Sequence, residues 1–102
     1  MDNRHTIILM QMSHNRSTRT FMDYDSISQA VDGICGLYER KLKEINPAIR
    51  NLNYDIDDLY NFIDGLGDLS ALVYDRNIQA YLPYDREWIK HKTLQRLKKL
   101  AQ

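Results

Sequence analysis

Three histidines (His5, His14 and His91) and one cysteine (Cys35) are the side chains of this sequence best suited to metal binding or nucleophilic chemistry. Zinc sites hold histidines at short fixed spacings such as H-x-x-x-H, or combine them with several thiols. Here the histidines fall at a strand start, in a polar loop and on a helix, so surface or capping roles are expected. Cys35 has no following basic neighbour before Arg40 to favour a thiolate, and reads as a buried, inert thiol. A lone cysteine excludes an intrachain disulfide and fits a reducing compartment.

Asp55, Asp57, Asp58, Asp64 and Asp68 superficially resemble a calcium loop. They lack its alternating oxygen ligands, its central glycine and its closing glutamate, and read better as helix-end charges. Gly33, Gly36, Gly65 and Gly67 match neither phosphate-binding glycine pattern. No nucleophile–base pair stands out. The expectation is a protein that is not an enzyme and carries no metal or cofactor. Lys90, Lys92, Arg96, Lys98 and Lys99 crowd the last helix, where cations suit a helix C-terminus. Direct RNA or DNA contact through them is the alternative function. It lacks interleaved aromatics and an RNP-type signature.

Composition bounds the rest. The 102 residues carry 14 Lys and Arg against 14 Asp and Glu, a formal net charge of +0. One hydrophobic core is what this length supports. A neutral chain argues against a dedicated nucleic-acid coat, which needs a basic excess. The longest aliphatic run, Ile7–Met10, is far short of the roughly 20 residues of a membrane span. The expectation is a soluble intracellular domain with no membrane partner.

The elements follow from periodicity and punctuation. His5–Met12 and Arg19–Tyr24 read as antiparallel strands joined by a flexible polar loop, Ser13–Thr18. Ser26 and Gln29 fit a capping box opening a helix whose apolar face is Ile27, Val31, Ile34, Tyr38, Leu42 and Ile45. Asn46-Pro47 ends it, and Ala48–Asn53 is a connector. Asp55 caps a second helix with Ile56, Leu59, Tyr60, Ile63 and Leu66 inward, ended by Gly65 and Gly67. Leu69–Tyr74 is a third strand. Ala80–Tyr84 is a fourth, at the sheet edge because Pro83 lacks a donor. Asp85 caps a last helix carrying Trp88, Ile89, Leu94, Leu97 and Leu100. The fold class is α+β in the order ββααββα: a four-stranded antiparallel sheet with three amphipathic helices on one face.

A sheet with one wet face alternates apolar and polar residues. The first strand does not: Ile8, Met10 and Met12 form one row, Ile7 and Leu9 the other. The third strand repeats this with Leu69, Ala71 and Val73 against Leu72 and Tyr74. If all three helices take one face, the other is apolar and bare, which marks an interface. Pairing of two chains through the open faces about a two-fold axis covers it. The alternative is helices on both faces of a monomer. The longer row is expected to meet the helices, leaving Ile7, Leu9, Leu72 and Tyr74 for the partner chain. Gly33 and Gly36 break helix propensity off the apolar stripe, which suits close approach by a partner or simply tolerated weakness.

In order along the chain, His5-Thr6-Ile7-Ile8-Leu9, Arg19-Thr20-Phe21 with Asp23-Tyr24, Gly33-Ile34-Cys35 with Tyr38, and Tyr54-Asp55-Ile56 resemble the enhancer of rudimentary homolog family. So do Phe62-Ile63-Asp64, Asp68-Leu69-Ser70 with Leu72-Val73-Tyr74, Tyr81 with Pro83-Tyr84, and Trp88-Ile89-Lys90. The resemblance spans about His5 to Leu97. It implies a small nuclear protein that homodimerises through its sheets. It also implies a non-catalytic adaptor binding short segments of RNA-processing and transcription proteins, with roles in splicing, RNA elimination and cell division. Beside the dimer seam, Gly33, Gly36 and Tyr81 are the candidate partner-binding positions. Family members resemble casein kinase II substrates at two positions. Thr20 keeps Thr-x-x-Asp with Asp23, whereas Ser26 meets Gln29 instead of an acid. Ser13–Thr18 and Gly36 depart from the family pattern.

Overall fold

In the computed structural model, which describes residues 3–48 and 55–100, β1 (Thr6–Gln11) runs antiparallel to both of its neighbours. They are β2 (Arg19–Tyr24) and β3 (Asp68–Asp75), and β4 (Ala80–Tyr84) pairs with β3 to give the order β2-β1-β3-β4. Between β2 and β3 come α1 (Ile27–Ile45) and α2 (Ile56–Gly65); α3 (Arg86–Leu100) closes the chain. The observed order is the ββααββα of the sequence reading, with Pro83 on an edge strand. Most of the expected Ala48–Asn53 connector, and the Leu100 side chain, lie outside the described residues.

Each helix starts as its sequence requires. Ser26 Oγ accepts from the Gln29 backbone N–H at 3.1 Å. The Gln29 side chain reaches the Asp25 N–H, one residue before the cap, so the box is shifted rather than closed on Ser26. Asp55 and Asp58 form a complete reciprocal box on α2. Asp85 accepts from the Trp88 N–H at 2.9 Å. Each such cap contributes about 1 kcal/mol.

The inner row of the sheet and one face of each helix make a single core. Ile8, Met10, Leu69, Ala71 and Val73 from the sheet are buried against Ile27, Ala30, Val31, Ile34 and Cys35 of α1, Leu59 and Ile63 of α2, and Ile89 of α3. Three expected positions depart from this. Met12, beyond the end of β1, is exposed. Ile45 is 72% exposed, because α1, about 28 Å long by helical rise, outruns the sheet it packs on. On α3 the fully buried residue after Ile89 is Thr93, whose hydroxyl donates to the Lys90 carbonyl at 2.7 Å. A polar side chain that satisfies itself on its own helix can occupy a core position that periodicity assigns to a leucine.

The Ser13–Thr18 segment is held rather than loose. It contains a 3-10 turn, Arg16–Thr18, capped by Asn15, whose Oδ1 accepts from the Ser17 N–H at 3.0 Å. Thr18 donates its hydroxyl to the Asn15 carbonyl and accepts from the Ser13 N–H. Gly67 is needed where this segment crosses the α2–β3 junction: a Cβ there would sit 2.3 Å from the Ser13 carbonyl oxygen. The β3–β4 turn places Gln79 at φ 54°, with Asp75 Oδ1 accepting from the Asn77 N–H.

Gly67 and Gly36 therefore have opposite expectations. Gly36 faces open space within α1. Gly36→Ala raises stability by about 0.5–1 kcal/mol through helix propensity. Gly67→Ala lowers it by about 1–3 kcal/mol through steric overlap with backbone. Urea unfolding midpoints that move in opposite directions are the expected outcome.

Candidate functional site

Antiparallel register places paired residues on the same face. The outer row of β1, Ile7 and Leu9, lies beside Asp23 and Phe21 of β2 on one side and Leu72 and Ser70 of β3 on the other. Leu72 in turn meets Pro83, and Tyr74 meets Tyr81, on β4. The result is an apolar band across all four strands: Phe21, Leu9, Ile7, Leu72, Pro83, with Tyr74 and Tyr81 beside it. No helix covers it among the described residues, since the helix side chains pack on the inner row. Phe21 is 67% exposed and Leu9 38%, against 1% for Ile8 on the opposite row. The expected division of rows is the one observed, and Phe21 is an addition. It was legible in the Arg19–Tyr24 run but could be assigned to a face only through its register with Leu9.

Polar groups frame one end of the band. His5 Nδ1 lies 2.6 Å from the Tyr81 hydroxyl, and His5 Nε2 lies 3.5 Å from Asp23 Oδ1. The His5 ring meets Tyr81 edge-on at 5.7 Å, and Tyr81 meets Tyr74 edge-on at 5.2 Å. The chain Asp23–His5–Tyr81–Tyr74 thus crosses the sheet from one edge strand to the other. Tyr81, a candidate partner-binding residue, is part of this face. At the far end Arg19 donates to Gln11 Oε1 at 2.8 Å.

The two glycine positions behave differently from one another. Gly33 does accommodate a close approach, but from within the chain: a Cβ there would lie 2.2 Å from the Tyr24 hydroxyl oxygen. That space is filled by β2 and is not available to another molecule. Gly36 has open space around it. Thr20 is exposed on β2, and Ser26 is the α1 cap.

The last-helix cations prove to be divided. Lys90 Nζ contacts both Asp64 carboxylate oxygens, at 3.1 and 3.0 Å, and lies over the Tyr60 ring. Its hydrogen bond to Asp64 holds its pKa above the ordinary lysine value. Arg96 is ion-paired with Asp32, and Lys92 lies 5.5 Å over the Trp88 ring. Lys98 and Lys99 are exposed. Arg86, whose role no local pattern signals, donates to the Ile63 and Asp64 carbonyls at the end of α2. Arg86, Lys90 and Arg96 thus fasten α3 to the other two helices, so these three charges are engaged within the helix layer.

Among the described residues no cluster of three or more His, Cys, Asp or Glu side chains could hold a metal ion. Cys35 is buried, and burial pushes its thiol up to about 11.

Comparison with known proteins places these features in a lineage. The family model described as enhancer of rudimentary matches residues 2–102. The enhancer of rudimentary homolog of Arabidopsis thaliana is 76% identical over 98 residues, covering 96% of this chain and 90% of the relative. That of Dictyostelium discoideum is 54% identical over 98 residues, covering 96% and 98%. The protein enhancer of rudimentary of Drosophila virilis is 42% identical over 97 residues, covering 95% and 93%.

The state of Cys35 sets its reactivity. A thiol moved from 9.0 to about 11 holds about a hundredfold less thiolate at pH 8. Native protein should therefore be alkylated by iodoacetamide about a hundredfold more slowly than unfolded protein. The folded state favours the protonated form, so stability falls as pH rises above the unfolded value of 9.0. Equal alkylation rates in the native and unfolded protein would contradict this burial.

Proposed function

The chain belongs to the enhancer of rudimentary family, and from that premise we propose a homodimeric, non-catalytic nuclear adaptor. In this reading it binds short segments of RNA-processing and transcription proteins. The observation that supports it is the open sheet face. An apolar band of Phe21, Leu9, Ile7 and Leu72 on a chain this small is costly to leave in water. A second copy is the occupant that matches it, because a two-fold axis sets each apolar row against the same row. Pairing doubles every other surface, so each partner segment meets two equivalent sites.

Partner segments have room beside the seam. A shallow cleft of about 570 Å³ at the β4 edge is lined by Ser70, Pro83, Tyr84, Asp85 and Trp88. Tyr84 and Trp88 stack at 4.3 Å there, offering a rigid aromatic surface of the kind that anchors peptides. Thr20 lies on the free edge strand next to Phe21. By its register with Met10 the Thr20 side chain lies on the helix side of the sheet, so a phosphate there would add nearly two charges at the exposed edge of that side, across the sheet from the apolar band. At Ser26 a phosphate would sit at the positive end of α1. The competing reading, direct nucleic-acid binding by α3, is less well supported, because Lys90 and Arg96 are engaged by Asp64 and Asp32.

Light scattering after size-exclusion chromatography tests the dimer. The unaltered protein is expected at close to twice the 12.1 kDa chain mass, and Ile7→Arg or Leu9→Arg at monomer mass or as aggregate. An unchanged dimer mass in both variants would remove the face assignment. Affinity capture from nuclear extract tests the adaptor role. RNA-processing proteins should be enriched and should be depleted with Leu9→Arg; failure to enrich them overturns the role.

A further inference from the structure

A second surface lies on the helix layer, away from the open sheet face, and does not depend on the dimer. Lys92, Arg96 and Lys99 recur at spacings of four and three, so they form one stripe of α3. The stripe borders a groove of about 220 Å³ against the start of α1, floored by Ile27 and Val31 and lipped by Ser28. The groove is therefore apolar below and cationic along one wall.

Its charge is not balanced from within. Arg96 is neutralised by Asp32, which leaves Lys92 and Lys99 as the net charge of the wall. The other wall is the positive end of α1. Its first turn contains no acidic residue, whereas α2 has Asp57 and Asp58 there and α3 has Glu87. Asp25, the remaining nearby acid in sequence, stands before the cap. Cations on one side and a helix N-terminus on the other favour an anion between them. The buried Ile27 and Val31 below it favour an aliphatic side chain.

We infer that this groove docks an acidic peptide segment carrying an aliphatic anchor residue. Carboxylates lie against Lys92, Lys99 and the α1 N-terminus, and the anchor covers Ile27 and Val31. Nucleic acid fits the groove less well. The wall offers a net two lysines, too few for the multiple phosphate contacts such binding rests on. Among the described residues the lining contains no aromatic ring on which a base could stack.

The test uses the full chain and a fluorescein-labelled peptide of Asp and Glu residues flanking a central Leu-Leu pair, read by anisotropy. The control peptide replaces the acids by Asn and Gln. The acidic peptide is expected to bind about tenfold more tightly than the control. Lys92→Glu with Lys99→Glu is expected to erase that difference. The milder Lys92→Gln with Lys99→Gln should reduce it about threefold with the fold intact by circular dichroism. Lys43→Glu, at the far end of α1, should leave it unchanged. Several outcomes overturn the inference: no binding of the acidic peptide, equal binding of the control, or unaltered binding in both double variants. An oligouridylate that binds more tightly and competes through Lys92 and Lys99 also overturns it, making the groove a nucleic-acid surface.

Discussion

Both rows of β1 are apolar, and among the described residues only one of them has helices to pack against. Ile8 and Met10 meet α1, α2 and α3 across the inner face, while among the described residues Ile7 and Leu9 lie beside their neighbours within the sheet and under no helix. Packing all the helices on one side makes a core adequate for a chain of 102 residues. It also concentrates the remaining apolar side chains in one plane. The hydrophobic effect scales with area removed from water, so a flat apolar band is a standing drive toward association. In the proposed adaptor role this face would be given to pairing, with edges and helices left for other segments.

The helix layer is organised by charge as much as by apolar contact. The apolar stripe of α3 is thin, with Ile89 buried, Thr93 taking the next position and Leu97 partly buried. Its hold on the layer is completed by Arg86 on the α2 carbonyls, Lys90 on Asp64 and Arg96 on Asp32. These partly exposed pairs contribute little individually, yet together they orient α3 and set which cations stay available. Three of the cations of this basic helix, Arg86, Lys90 and Arg96, serve to fasten it to the other two helices. What it leaves, Lys92 and Lys99 beside the start of α1, is a narrow feature with a direction.

Much of the fold was legible because it is written in local rules. The caps at Ser26, Asp55 and Asp85 act within one turn, and period-two and period-3.6 patterns declare strand and helix over a few residues. Where the reading missed, a distant contact decided. Gly33 and Gly67 look alike as helix-related glycines. One instead makes room for the Tyr24 ring and the other for the Ser13 backbone, each from a different part of the chain. Ser13–Thr18 looked loose because it has no apolar anchor, and is held by side-chain-to-backbone hydrogen bonds that periodicity does not register.

The order of elements, the helix starts, the apolarity of both rows of the central strand and the family can all be read from the residues alone. All of these depend on residues near one another in the chain or on their succession. Which row faces outward, the extension of the band by Phe21 and which α3 cations are engaged emerge only in the folded chain. Those outcomes depend on strand register and on partners such as Asp32 and Asp64, brought together across long stretches of chain. A charge or an apolar side chain can be read from the sequence, but whether it is already satisfied is a matter of distance in the folded molecule.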